Sequence, residues 1–99
     1  PKCADAYLQL GILSFAQRNV QKAIAFYSQA VAADPQLSEA HYRLGVAYDR
    51  NGEAAKAEEE FRLHNEIEER QATAIEGQRR EVKQFLVVVK APPPPSLAP

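Results

Sequence analysis

A chain of 99 residues is about one domain long, and at this size only ~60–70% of the unfolded surface is buried, too little for a two-domain enzyme with an enclosed cleft. The apolar fraction of 45% and charged fraction of 25% are those of a soluble globular protein and exclude collagen-like, disordered and disulfide-scaffold classes. A net charge of −1 provides no lysine and arginine cluster to neutralise phosphates, so no nucleic-acid partner is expected, and no run reaches the ~18–20 apolar residues of a membrane span.

The first element is a helix carrying Tyr7, Leu10, Ser14 and Phe15 on one stripe. After Arg18-Asn19 a second helical stripe follows, with Ala23, Ile24, Tyr27, Ala30 and Val31. Asp34-Pro35 ends it, because proline disfavours helix at the residue before it, and Pro35 or Ser38 opens the third. Asn51-Gly52 is the next turn. The helix beginning near Glu53 meets no stop signal at Glu69, so it either bends or continues past Arg70. Beyond it, Ile75, Val82, Phe85, Leu86 and Val89 form an apolar stripe that predicts one more helix, over about 72–88, weakened by Gly77. The β-branched run Phe85 to Val89 is expected to be buried by a partner or to become extended. Pro92 to Pro95 and Pro99 favour polyproline II, which makes residues 91–99 an extended spacer or disordered tail.

Slid against itself, the chain responds at an offset of 34. Ala6 meets Ala40, Leu10 meets Leu44, Gly11 meets Gly45, Lys22 meets Lys56 and Ala23 meets Ala57, with Tyr27 opposite Phe61 and Ile12 opposite Val46. The first copy reads Tyr7-x2-Leu10-Gly11, then Ala23-x3-Tyr27, Ala30 and Pro35; the second reads His41-x2-Leu44-Gly45-x2-Tyr48, then Ala57-x3-Phe61. This spacing resembles the tetratricopeptide repeat family, over residues 4–68. Departures are Arg18 where the family often turns on glycine, His64 in place of a small residue, and Glu69 in place of the closing proline. The fold expected is all-α: two antiparallel helix hairpins, about 4–37 and 38–71, stacked as a short right-handed α-solenoid. A helix over 72–90 would then cap the array or join it to another copy. The small residues Gly11, Ala23, Gly45 and Ala57 would let paired helices approach closely.

Residues able to do chemistry are few. His41 and His64 fall at packing positions, and a packed histidine competes with the weaker reading in which His64, Glu60 and Glu68 hold a metal ion at i±4 spacing. The segment Gly52 to Glu81 holds nine acidic and five basic residues, which a solvated helix face explains. Cys3 has no histidine nearby in sequence, and the four glycines are isolated rather than arranged as a phosphate loop. Catalytic residues, metals and cofactors are therefore not expected. The lone cysteine leaves the compartment undecided with a lean to the cytoplasm, and the absence of any methionine suggests a segment of a longer protein.

The resemblance implies a concave groove lined by the first helix of each pair, here Asp5, Leu8, Gln9, Ile12, Phe15 and Ala16, then Glu39, Tyr42, Arg43, Val46, Asp49 and Arg50. Leu8, Ile12 and Val46 could equally be core; Leu10 and Leu44 are assigned to the face between paired helices. Leu8 and Ile12 stand where chaperone-binding members carry Lys and Asn, so the expected ligand is an apolar or helical peptide of mixed charge rather than a carboxylate-ended tail. The expected function is a non-enzymatic scaffold module with a protein or peptide partner. Two readings compete with it: homodimer assembly through the groove or the Phe85 to Val89 run, and a recruiting appendage of an enzyme.

Overall fold

The computed structural model describes residues 2–90 and, within them, the side chains of residues 3–77. Four helices and no strand occur among the described residues: α1 (Lys2–Ala16), α2 (Val20–Ala33), α3 (Ser38–Arg50) and α4 (Ala54–Lys90). No described helix is long and apolar enough to cross a membrane. The chain divides into two compact units after Glu68.

In the first unit, α1 pairs with α2 and α2 with α3, around Leu8, Ala23, Tyr27, Ala30, Ala40, Leu44 and Ala47. Each hairpin rests on one device. The ring of Tyr27 lies over Gly11, where an added Cβ would stand 2.5 Å from Tyr27 Cδ1, and Phe61 lies over Gly45, where it would stand 2.6 Å from Phe61 Cε1. The glycines thus serve as seats for an aromatic ring from the partner helix, a tighter requirement than close approach of two helix axes.

The two hairpin turns are built alike. After α1, Arg18 N–H donates to the Phe15 carbonyl at 2.9 Å and Asn19 N–H to the Ser14 carbonyl at 2.9 Å; after α3, Gly52 donates to Asp49 at 3.0 Å and Glu53 to Tyr48 at 2.8 Å. Both are Schellman ends, which place the residue after the cap in the left-handed region. Gly52 sits there at φ 81, and Arg18 accepts the same conformation at φ 66 without glycine's freedom. Asn19 then caps α2 by accepting from Lys22 N–H at 3.2 Å. Between the hairpins, Asp34 before Pro35 is extended, at φ −143 and ψ 92, and its carboxylate accepts from Gln36 N–H at 3.1 Å.

Three expectations need correction. The helix foreseen over 72–90 is not a separate element, because α4 continues through it to Lys90; neither proline nor a C-cap glycine interrupts the chain after Glu68, and Gly77 alone costs only about 1 kcal/mol. Of the two outcomes left open for the Phe85 to Val89 run, burial by a partner or an extended form, the extended one does not occur, because the run is helical. Leu10 does not lie between paired helices: it is 43% exposed, whereas Leu44 is buried. In the second unit, residues 69–77 are all exposed, Ile75 included; the remaining stripe residues lie outside the described side chains, and the proline-rich tail lies outside the described residues.

Candidate peptide-binding groove

Of the twelve groove residues foreseen on α1 and α3, ten divide into three groups, and the exposed Glu39 and Arg50 contact members of the third. Leu8 is only 3% exposed and belongs to the core with Ala23, Tyr27 and Leu44, so it leaves the groove. The cause is rotation of α1, which turns Leu8 inward over α2 and turns Leu10 out. Asp5, Gln9, Ala16 and Asp49 are exposed, and Ile12 is half-buried against the core cluster; none of these five lines the concavity formed by the third group. The third group comes together: Phe15, Tyr42, Arg43 and Val46, with Tyr27 below them, line a concavity of about 190 Å³ whose surface is mostly apolar.

Each wall of this concavity is held from behind. Tyr42 packs its ring against Phe61 at 5.6 Å between centroids and against His64 at 5.3 Å, both tilted, so α4 fixes an aromatic side chain that is still 48% exposed. Arg50, whose residue is exposed, places its guanidinium 5.2 Å from the centre of the Phe15 ring, a cation–π contact that steadies the opposite wall. Arg43 donates from Nε to Glu39 Oε2 at 2.9 Å. Burial alone would lower the Arg43 pKa, but the Glu39 hydrogen bond and charge, joined by Tyr27, hold it above the ordinary value, so the guanidinium stays charged. Burial pushes the Tyr27 phenol up, against the lowering charge of Arg43 beside it, and the hydroxyl stays protonated. The floor therefore presents a neutral phenol and a fixed cation beneath apolar walls.

Tyr27 is the residue lining this concavity that sequence reasoning did not place there. It occupies the aromatic position of the second helix, which reads as pure core, and its ring is indeed 1% exposed. The available signal was the hydroxyl: its counterpart 34 residues on is Phe61, and only Tyr27 needs a polar neighbour at the ring's end.

Both histidines are packed. His41 is 4% exposed; its Nδ1 lies 2.7 Å from Glu60 Oε1 and its Nε2 lies 2.9 Å from the Pro35 carbonyl. His64 Nδ1 lies 3.0 Å from the Ser38 carbonyl. The carboxylates considered with His64 for a metal are engaged elsewhere, Glu60 with His41 and Glu68 with the Ser38 hydroxyl, which donates to it. Among the described residues no group of three or more potential ligands could hold a metal ion.

The model of the tetratricopeptide repeat matches residues 14–75, more than half of the chain. Among solved structures, the chain is similar to the crystal structure of MamA, a tetratricopeptide repeat protein, with a TM-score of 0.68 and 31% identity. That similarity covers 71% of this chain and 41% of MamA's, so the chain spans under half of that protein's length. No curated protein matches it in sequence. Two hairpins with equivalent turns, equivalent glycine seats and this match place the chain in the tetratricopeptide repeat family, whose domains are generally non-catalytic modules for protein–protein interaction.

Proposed function

We propose that this chain is a non-catalytic interaction module whose α1–α3 surface binds a peptide through one apolar side chain with an acidic neighbour. The observation that carries the reading is the concavity itself: four residues foreseen as groove positions surround it, and their walls are fixed by contacts from behind rather than by the ligand. A pre-organised site loses less side-chain entropy on binding, about 0.5–1.5 kcal/mol for each side chain already held. The acidic neighbour follows from charge. Arg50 joins no ion pair among the described residues and stands on the Phe15 wall, where a carboxylate would gain a charge-assisted contact.

The test uses phage-displayed random peptides selected on the whole chain, with affinities then measured by calorimetry for the chain and for Val46→Asp and Arg50→Glu. Selected peptides should carry an apolar residue next to Asp or Glu and lose at least about tenfold in affinity, about 1.4 kcal/mol, with either variant while helicity is unchanged. Peptides that bind both variants as tightly as the unmodified chain would place the binding surface elsewhere.

A further inference from the structure

His41, in the first turn of α3, is buried between two oxygen atoms that belong to other parts of the chain. Glu60 Oε1 of α4 lies 2.7 Å from Nδ1, and the Pro35 carbonyl of the loop before α3 lies 2.9 Å from Nε2. Both are hydrogen-bond distances, and neither oxygen brings a proton of its own, since a carbonyl and an ionised carboxylate only accept. A neutral imidazole carries one N–H and supplies one of the two bonds. With that proton on Nε2, the bare Nδ1 faces the Glu60 carboxylate; with it on Nδ1, the bare Nε2 faces the carbonyl. Either way two lone pairs meet where water does not reach them, which a buried polar site does not tolerate. The surrounding polar groups are engaged with one another. On α3, Glu39 accepts from Arg43 and the Ser38 hydroxyl donates to Glu68 of α4; on α4, His64 Nδ1 meets the Ser38 carbonyl; on α2, Tyr27 lies beside the Arg43 charge; in the loop, Asp34 accepts from Gln36 N–H.

We propose that the His41–Glu60 pair holds one proton more than a neutral imidazole and a carboxylate carry, and that this proton locks α3 to α4 and to the preceding loop. The proton sits on the imidazole, the more basic partner, so that both ring nitrogens donate and the Glu60 bond is charge-assisted, in keeping with its length. An unfolded chain releases such a proton above about pH 6.5, where a free imidazole titrates. Above that value the folded state binds one proton more than the unfolded one, so stability falls as pH rises, until the folded pair has lost its proton too. The first unit thus carries an alkali-sensitive lock. It stands next to Phe61, whose ring lies over Gly45 and against Tyr42, so the second hairpin is the part it secures. The inference does not depend on what the groove binds.

The test is made on the whole chain. Nitrogen-15 NMR of the imidazoles at about pH 7.5, where a free imidazole is mostly neutral, should find a proton on both ring nitrogens of His41. Urea unfolding between about pH 7 and about pH 8 should show an unfolding constant that rises about tenfold, the linkage expected for one bound proton. Glu60→Gln keeps the contact without the extra proton, because its amide donates to the bare Nδ1; the rise should shrink to about twofold or less. His64→Gln should retain it in full. The proposal is overturned by a single ring proton on His41 at that pH, or by an unfolding constant of the unmodified chain that does not change across the window. It is overturned as well if Glu60→Gln keeps the tenfold rise, or if His64→Gln abolishes it, since the proton would then belong to another group.

Discussion

In the first hairpin Gly11 receives the ring of Tyr27, which is 1% exposed; in the second, Gly45 receives Phe61, which is only half-buried. The backbone device is the same, but the freedom of the ring to yield is not. Tyr27 is enclosed by α1, α2 and α3, whereas Phe61 has one flank against the exposed Tyr42. The lesson is that equivalent positions in a repeat differ in tolerance according to how many neighbours surround them. Alanine at either glycine gains about 1 kcal/mol in helix propensity but drives a methyl into a ring. Gly11→Ala should cost a net ~1–3 kcal/mol in urea denaturation and Gly45→Ala clearly less. Equal losses would break the comparison.

A second difference lies 34 residues apart at Tyr7 and His41. Tyr7 is half-buried on α1, while His41 is buried on α3 with both ring nitrogens facing oxygen atoms, one from α4 and one from the loop before α3. The second hairpin is thus cross-braced by a polar contact that the first lacks. Removing the Glu60 carboxylate strands a buried nitrogen, so Glu60→Ala should cost about 1–2 kcal/mol. The neighbouring exposed Glu59→Ala should leave stability nearly unchanged, since exposed pairs like Glu59–Arg62 contribute little. A Glu60 loss no greater than the Glu59 loss would show that His41 satisfies itself elsewhere.

The turns give a third contrast and mark how far the sequence could be read. The repeat offset, the glycine and ring positions and the missing stop at Glu69 were all legible, because they depend on residues of the chain and their spacing. Arg18 was visible as a departure from glycine; that the same Schellman turn forms regardless was not, because it reflects two flanking helices imposing φ 66 on an unfavourable residue. The exchange of Leu8 and Leu10 was also illegible. Both belong to apolar stripes of α1, and which stripe is core depends on where α2 lies, which periodicity along one helix does not contain. Of the residues that line the concavity, Phe15, Tyr42, Arg43 and Val46 stand at groove positions that the family resemblance implied, whereas Tyr27 comes from the other helix of the hairpin. Relieving the strain tests the turn comparison: Arg18→Gly should stabilise the chain by roughly 1 kcal/mol, about 4–8 °C in melting temperature, because glycine removes the left-handed penalty. Gly52→Ala should destabilise by a similar amount. A loss on Arg18→Gly would mean that the arginine side chain stabilises the turn by more than its backbone costs.

The smallest expected effect separates the two caps that follow those turns. Asn19 precedes α2 and cannot titrate; its counterpart Glu53 precedes α4 and can. Glu53 accepts from Asn51 Nδ2 at 2.7 Å and pairs with Lys56 at 3.1 Å, and the Asn51 hydrogen bond, followed by that to Lys56, lowers its pKa below the ordinary glutamate value. A carboxylate at a helix N-terminus is also favoured by the unpaired N–H groups there. Because the folded pKa lies below the unfolded one, the stabilisation is complete above the unfolded value and is lost as pH falls through the folded value. Glu53 is solvent-exposed in its ionising group, so the effect is small and sensitive to salt. Urea midpoints measured on descending pH should therefore fall slightly more steeply for the chain than for Glu53→Gln, with the difference shrinking at high salt. An Asn19→Asp variant should acquire the same acid dependence in the first hairpin, since its carboxylate would stand at the N-cap of α2. If Asn19→Asp shows no such dependence, then the Asn51 contact rather than the helix terminus makes Glu53 acid-sensitive, and the two caps differ by their side-chain neighbours instead of by charge alone.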